Sequence, residues 1–136
     1  MSQLVPLSFN KIMQTKTYTV IILEGEGKNF AIYTEPLVGK LLQMYLTEAQ
    51  SLRPMTHDLL LSVFQGLDIS VMQVVIHDIQ DTVYFAKLFL EQEKDGMKHV
   101  VEIDARPSDA ITLALLEDAP VLCTKEVLNR VIPLEA

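Results

Sequence analysis

The chain has 136 residues, 49% of them apolar and 21% charged, the ordinary balance of a globular domain. Its formal net charge of −7 opposes non-specific nucleic-acid binding, which runs on phosphate neutralisation by Lys and Arg. A single cysteine, Cys123, excludes an internal disulfide and any multi-cysteine zinc site, and no apolar run approaches the roughly 18 residues that cross a bilayer.

The opening MSQLVPLSFNK lacks the basic, apolar and small-residue succession of a signal peptide. With the lone cysteine, this makes a reducing cytoplasm the expected location. Leu4–Met13 alternates and reads as a strand, and Tyr18–Glu24 reads as a second, buried one because Val20, Ile21, Ile22 and Leu23 run together. Gly25-Glu26-Gly27-Lys28 is a hairpin turn, returning as Asn29–Thr34. Pro36 suits the first turn of a helix whose stripe is Leu37, Val38, Leu41, Leu42 and Tyr45. Thr47–Leu52 reads as a polar loop.

Thr56 then caps a second helix with the stripe Leu59, Leu60, Val63, Phe64 and Leu67. Ser70–Asp78 alternates, with Met72, Val74 and Ile76 facing one way. Thr82–Glu91 sets Tyr84, Ala86, Leu88 and Leu90 opposite Phe85, Lys87 and Phe89, and Asp95-Gly96 turns the chain into His99–Asp104. An Arg106-Pro107 corner, a Ser108 cap and a third helix to about Glu117 follow, then a short strand Val121–Thr124 and a last helix Lys125–Arg130. The order βββ-αα-βββ-α-β-α predicts a single α+β domain over 1–136, mostly antiparallel β-meanders packed with three to four helices.

The residues that could carry chemistry collect at two helix entrances. Glu102 and Asp104 point to one face of a strand, about 6.5–7 Å apart. They could ligate divalent metal through hard oxygen donors, or simply face solvent. Arg106 could clamp a phosphate with its planar fork or brace the corner against Asp104 or Asp109. Asp109 complements the helix dipole as a first-turn acid. Upstream, Arg53-Pro54-Met55-Thr56-His57-Asp58 repeats the design. There His57 could be a general base, a metal ligand or a capping donor, and Asp58 an ordinary first-turn acid. His77-Asp78 closes a strand, where Asp78 can cap the turn. No Gly-rich phosphate loop, GxSxG elbow or HExxH is present, and Cys123 in an apolar strand reads as a buried thiol.

Taken together, Arg53-Pro54-x-Thr56-His57-Asp58-Leu59-Leu60, Val75-Ile76-x-Asp78, Tyr84-Phe85-Ala86-x-Leu88 and Val101-Glu102-Ile103-Asp104-Ala105-Arg106-Pro107-Ser108-Asp109-Ala110-Ile111 resemble, in order and spacing, the bifunctional nuclease (BFN) domain family, long catalogued as a domain of unknown function. The resemblance covers roughly residues 5–130. It implies a compact α+β domain, often a homodimer, named for members that degrade both RNA and DNA. The chain departs from the family where a glutamate position is occupied by Val38, and where Thr82 replaces a turn glycine.

On this basis the expected activity is divalent-metal-assisted phosphodiester hydrolysis of RNA or DNA, with Mg²⁺ or Mn²⁺ and no organic cofactor. His57 would be the acid/base, Asp58, Glu102 and Asp104 would bind metal or orient water, and Arg53 and Arg106 would hold phosphate. The rival expectation is a non-catalytic homodimeric interaction or regulatory domain, which the acidic charge favours.

Overall fold

Two tight reversals seed the sheet. Glu26 and Gly27 both have positive φ (50° and 79°), as do Asp95 and Gly96 (54° and 75°), the backbone that a two-residue hairpin loop with matching strand twist requires. The first joins β2 (Thr19–Gly25) to β3 (Lys28–Thr34), and the second joins β5 (Val83–Lys94) to β6 (Met97–Ala105). With β1 (Leu4–Gln14), β4 (Ile69–Gln80) and β7 (Val121–Thr124) they form one seven-stranded sheet in the order β3-β2-β1-β7-β4-β5-β6. The computed structural model describes residues 3–47 and 53–134. The polar loop expected over Thr47–Leu52 lies, beyond Thr47, outside the described residues.

The four helices are α1 (Pro36–Leu46), α2 (Thr56–Gly66), α3 (Pro107–Glu117) and α4 (Lys125–Arg130), so the chain is a single α+β domain in the predicted order. The two meanders are fused because β7 inserts between them, antiparallel to β1 and parallel to β4. A parallel neighbour needs a crossover, and α3 supplies it, packing on β4 and β5. Ser108, Ala110, Ile111, Thr112, Leu113 and Ala114 are all buried, so α3 is enclosed on almost every side. The Thr112 hydroxyl donates to the Ser108 carbonyl at 2.7 Å and thereby satisfies itself in that apolar setting. The sheet curls enough for Phe30 of β3 to stack on Tyr84 of β5, ring centroids 5.8 Å apart.

Three local readings are corrected by the structure. Ser108 is not the cap of α3: Pro107, with its fixed φ and missing N–H, takes the first helical position, so Arg106 is the N-cap and Ser108 lies inside the first turn. Thr56 likewise is the first helical residue of α2, with Met55 as N-cap. There the orphan Met55 N–H donates to the Asp58 carboxylate at 2.9 Å. In β4 a bulge at Met72 shifts the register between Val71 and Gln73, so Val71 joins Val74 and Ile76 in the core and Met72 is exposed.

The largest departure is α2. Of its apolar stripe only Phe64 is buried, while Leu59 (59% exposed), Val63 (47%) and Leu67 (55%) face outward.

Helix α1 is tied to the sheet by Gly39. A Cβ there would meet Gln14 Oε1 at 2.1 Å and Thr19 Oγ1 at 2.2 Å, and Thr19, wholly buried, donates its hydroxyl to the Glu35 carbonyl at 2.9 Å. Gly39→Ala is expected to lower unfolding stability by about 1–3 kcal/mol through overpacking. Gly66→Ala, whose new Cβ has open space, should leave stability unchanged or raise it by up to about 1 kcal/mol. Urea unfolding of both variants, read by far-UV circular dichroism, checks the contrast; equal effects would refute the tight α1 contact.

Candidate functional site

Three helix starts converge on one guanidinium. Arg106, the N-cap of α3, donates from Nε to Asp109 Oδ2 at 3.0 Å and from Nη1 to Glu35 Oε1, the residue that precedes Pro36 at the start of α1. The other oxygen of Asp109 lies 3.2 Å from His57 Nε2, in the first turn of α2. The result is a chain, Glu35–Arg106–Asp109–His57, that laces α1, α3 and α2 together at their positive ends. Flanking carboxylates raise the Arg106 pKa above its ordinary value, Asp109 by hydrogen bonding first and Glu35 second.

His57 Nε2, within hydrogen-bond distance of the Asp109 carboxylate, is the donor of that pair. His57 Nδ1 is buried and has no hydrogen-bond partner among the described residues. His57 is only 7% exposed, and Tyr45 packs against it edge-to-face at 6.4 Å. The Tyr45 hydroxyl reaches Asp58 Oδ2 at 3.4 Å, and burial followed by the Asp58 charge raises its pKa.

Above this chain lies a cleft of about 700 Å³, lined by Tyr33, Thr34 and Glu35 from the end of β3, Thr82 to Phe85, and Asp104 to Ser108. A smaller cleft of about 210 Å³ shares Tyr33, Thr82 and Tyr84 and is bordered by Arg130. Arg130 is itself fixed, 3.2 Å from Asp78 Oδ1 and bonded to the Ile79 carbonyl. Hydrogen bonds from Gln80 and the Ile79 N–H, with Arg130, hold the Asp78 pKa below its ordinary value. Burial pushes the Tyr84 phenol up to about 12, so that ring stays neutral and stacked between the two clefts.

The predicted site residues are brought together only in part. Asp104 and Arg106 line the main cleft, and His57 lies outside the lining, linked to Arg106 through Asp109. Asp58 serves the start of α2. Glu102 shares the strand face with Asp104, but its carboxylate lies 3.4 Å from Lys87, outside the lining. Arg53 is exposed before α2 and does not line the cleft. Among the described residues no three His, Cys, Asp or Glu side chains are grouped so as to hold a metal ion. Of the three carboxylates expected to bind metal, Asp104 alone lines the main cleft.

The Arg106–Asp109 brace weighed from the sequence is present at 3.0 Å, whereas two links escaped that reading: the one from Asp109 to His57, and Glu35 as the second partner of Arg106. The available signal was a third charged-residue–proline entrance, Glu35-Pro36, opposite in sign to Arg53-Pro54 and Arg106-Pro107.

A curled mixed sheet, with a crossover helix whose Arg-Pro start lines a cleft, defines an α+β domain. The sequence model of the bifunctional nuclease domain matches residues 20–133, and the chain belongs to that family. It is also similar to two Mycobacterium tuberculosis proteins, the uncharacterized protein MT1877 of strain CDC 1551 and the uncharacterized protein Rv1829 of strain H37Rv. Each is 32% identical over 76 residues, 56% of this chain. The matched segment spans 42% of the length of those relatives.

Asp109→Ala should lower stability by about 1–3 kcal/mol, because it leaves the buried His57 N–H without an acceptor. Asp109→Asn, which keeps an acceptor oxygen, should cost less; equal losses in chemical denaturation would argue against the hydrogen bond. Cys123 is buried, and burial pushes its thiol up to about 11. It should resist a thiol reagent at pH 8 in the native protein and react at once after denaturation.

Proposed function

We propose that this domain is a nuclease that hydrolyses phosphodiester bonds of RNA or DNA in the cleft lined by Arg106 and Asp104. The observation that carries this reading is the geometry of that guanidinium. Two of its nitrogens are locked by Glu35 and Asp109 while it lines an open cleft, so the fork is pre-oriented at little further entropy cost when it meets a phosphate. Asp104, on the same rim, is the exposed carboxylate available to orient an attacking water; attack at phosphorus breaks the bond to the leaving oxygen. His57 contributes through Asp109, holding the carboxylate that aims Arg106. In a chain of net charge −7 such local positioning has to substitute for long-range attraction.

Asp104 would be the residue that holds a divalent ion, Mg²⁺ or Mn²⁺, brought in with the substrate. The chemistry the ion supplies is charge neutralisation at the phosphate. The buried free thiol is compatible with a reducing compartment, the cytoplasm.

Purified protein with Mg²⁺ or Mn²⁺ should degrade single-stranded RNA or DNA. Asp104→Ala and Arg106→Ala should each lower the rate about 100-fold or more. Trace activity equal in wild type and both variants would mark contamination and end the nuclease reading.

A second reading, a homodimeric interaction domain, is favoured by the outward apolar side chains of α2 and the open strand β6. The two readings are compatible, and we take the chain to act as a homodimer.

A further inference from the structure

Strand β6 is one of the two outer strands of the sheet, β3 being the other: it pairs with β5 on one side and with no described strand on the other. Its 9 residues run without proline or bulge. Natural edges of this length are normally blunted or covered, because their unpaired N–H and C=O groups template another strand. Here apolar side chains face outward along it, among them Val100, Val101 and Ile103 (40% exposed). The exposed stripe of α2 ends beside it: the Leu67 carbonyl accepts from Gln92, whose cross-strand neighbour in β6 is His99.

We propose, resting on the dimeric reading above, that a second copy of this chain docks on β6 antiparallel about Val101 and completes the cleft. The charge pattern of the strand selects both the occupant and the register. Laid on itself about Val101, β6 sets Met97 opposite Ala105, Lys98 opposite Asp104, His99 opposite Ile103 and Val100 opposite Glu102, so every residue of the strand is used. The twofold axis makes the Lys98–Asp104 pair twice. Asp104 makes no ion pair among the described residues, whereas Glu102 is 3.4 Å from Lys87; Lys98 lies 3.4 Å from Glu91 of its own sheet, an exposed and therefore weak contact that it would exchange for Asp104 of the second copy. Centring on Val100 instead would set Lys98 opposite that occupied Glu102 and run Asp104 past the end of the strand. A shift by one residue would set Lys98 opposite Ile103 or Ala105.

The docking has a consequence for the site. Asp104 lines the main cleft, so each copy receives Lys98 from the other at its rim, beside Arg106. A carboxylate offers about four lone-pair sites on two oxygens, so the pairing leaves Asp104 able to face the cleft as well. The second copy thus supplies a cation in the place where an acidic chain most lacks one.

The wild-type protein should run at dimer mass in sedimentation velocity. Lys98→Glu and Asp104→Lys should each weaken the dimer roughly tenfold or more, and combining them should restore it. Val101→Cys should form a covalent dimer on mild oxidation, since directly opposed antiparallel residues have Cα atoms about 4.5–5.5 Å apart, within disulfide reach. Val100→Cys and Ile103→Cys should crosslink far less, and Cys123, buried, is no competitor. This arm does not depend on the charge variants folding. A monomeric wild type would overturn both the dimer and its surface. A dimer that ignores the charge swap, or crosslinks best at Val100, would overturn the surface and register while leaving dimerisation standing.

Discussion

The interaction on which the rest depends is the double grip on Arg106. A proline at the first helical position of α3 leaves the preceding residue in extended backbone, φ −64° and ψ 139°, and so throws its side chain outward, away from the helix axis. An arginine there would ordinarily be a loose surface cation next to the positive end of a helix dipole, an unfavourable place. Glu35 and Asp109 reverse that: both lie at helix starts, where carboxylates are welcome, and both point at the guanidinium. The charges of three helix termini are thereby balanced locally. Each exposed ion pair alone is worth little. The value of the arrangement lies in fixing where three helices begin relative to one cleft.

Much of the fold was legible because the relevant signals are local. Apolar runs such as Val20–Leu23, alternation in β5, and the Gly25–Lys28 and Asp95-Gly96 turns each depend on neighbours in sequence, and each element appears in its predicted order. What was hidden depended on distant chain. The insertion of β7 between β1 and β4 cannot be read from four residues that would suit either meander. The bulge at Met72 turns out a side chain that is itself apolar, so periodicity passes over it. The caps were displaced by one or two residues because proline geometry and a reaching Asp58 outrank a nearby hydroxyl.

The site was half legible for the same reason. Asp104 and Arg106 share one corner, so their adjacency is written in sequence. The link from Asp109 to His57 spans 52 residues and the link from Arg106 to Glu35 spans 71, and only the curl of the sheet brings those partners together. Asp58 and Glu102 show the converse: a motif places them near the chemistry, but a helix start and Lys87 are their nearest partners.

The misread stripe of α2 and the bare edge of β6 have a common origin in the crossover. One helix, α3, has to return the chain from the edge of the sheet to its middle, and in doing so covers β4 and β5. It cannot also cover β6, because its own N-terminus is the corner at which β6 ends. A further helix laid over that strand would have to pass beside Asp104 and Arg106 and would close the cleft they line. A strand from a second copy, as proposed, would meet the constraint differently. It would satisfy the edge in the plane of the sheet, shelter the apolar side chains on both faces, and leave the corner open. The acidic chain would then keep its cleft accessible while the cover itself brought Lys98 to the rim.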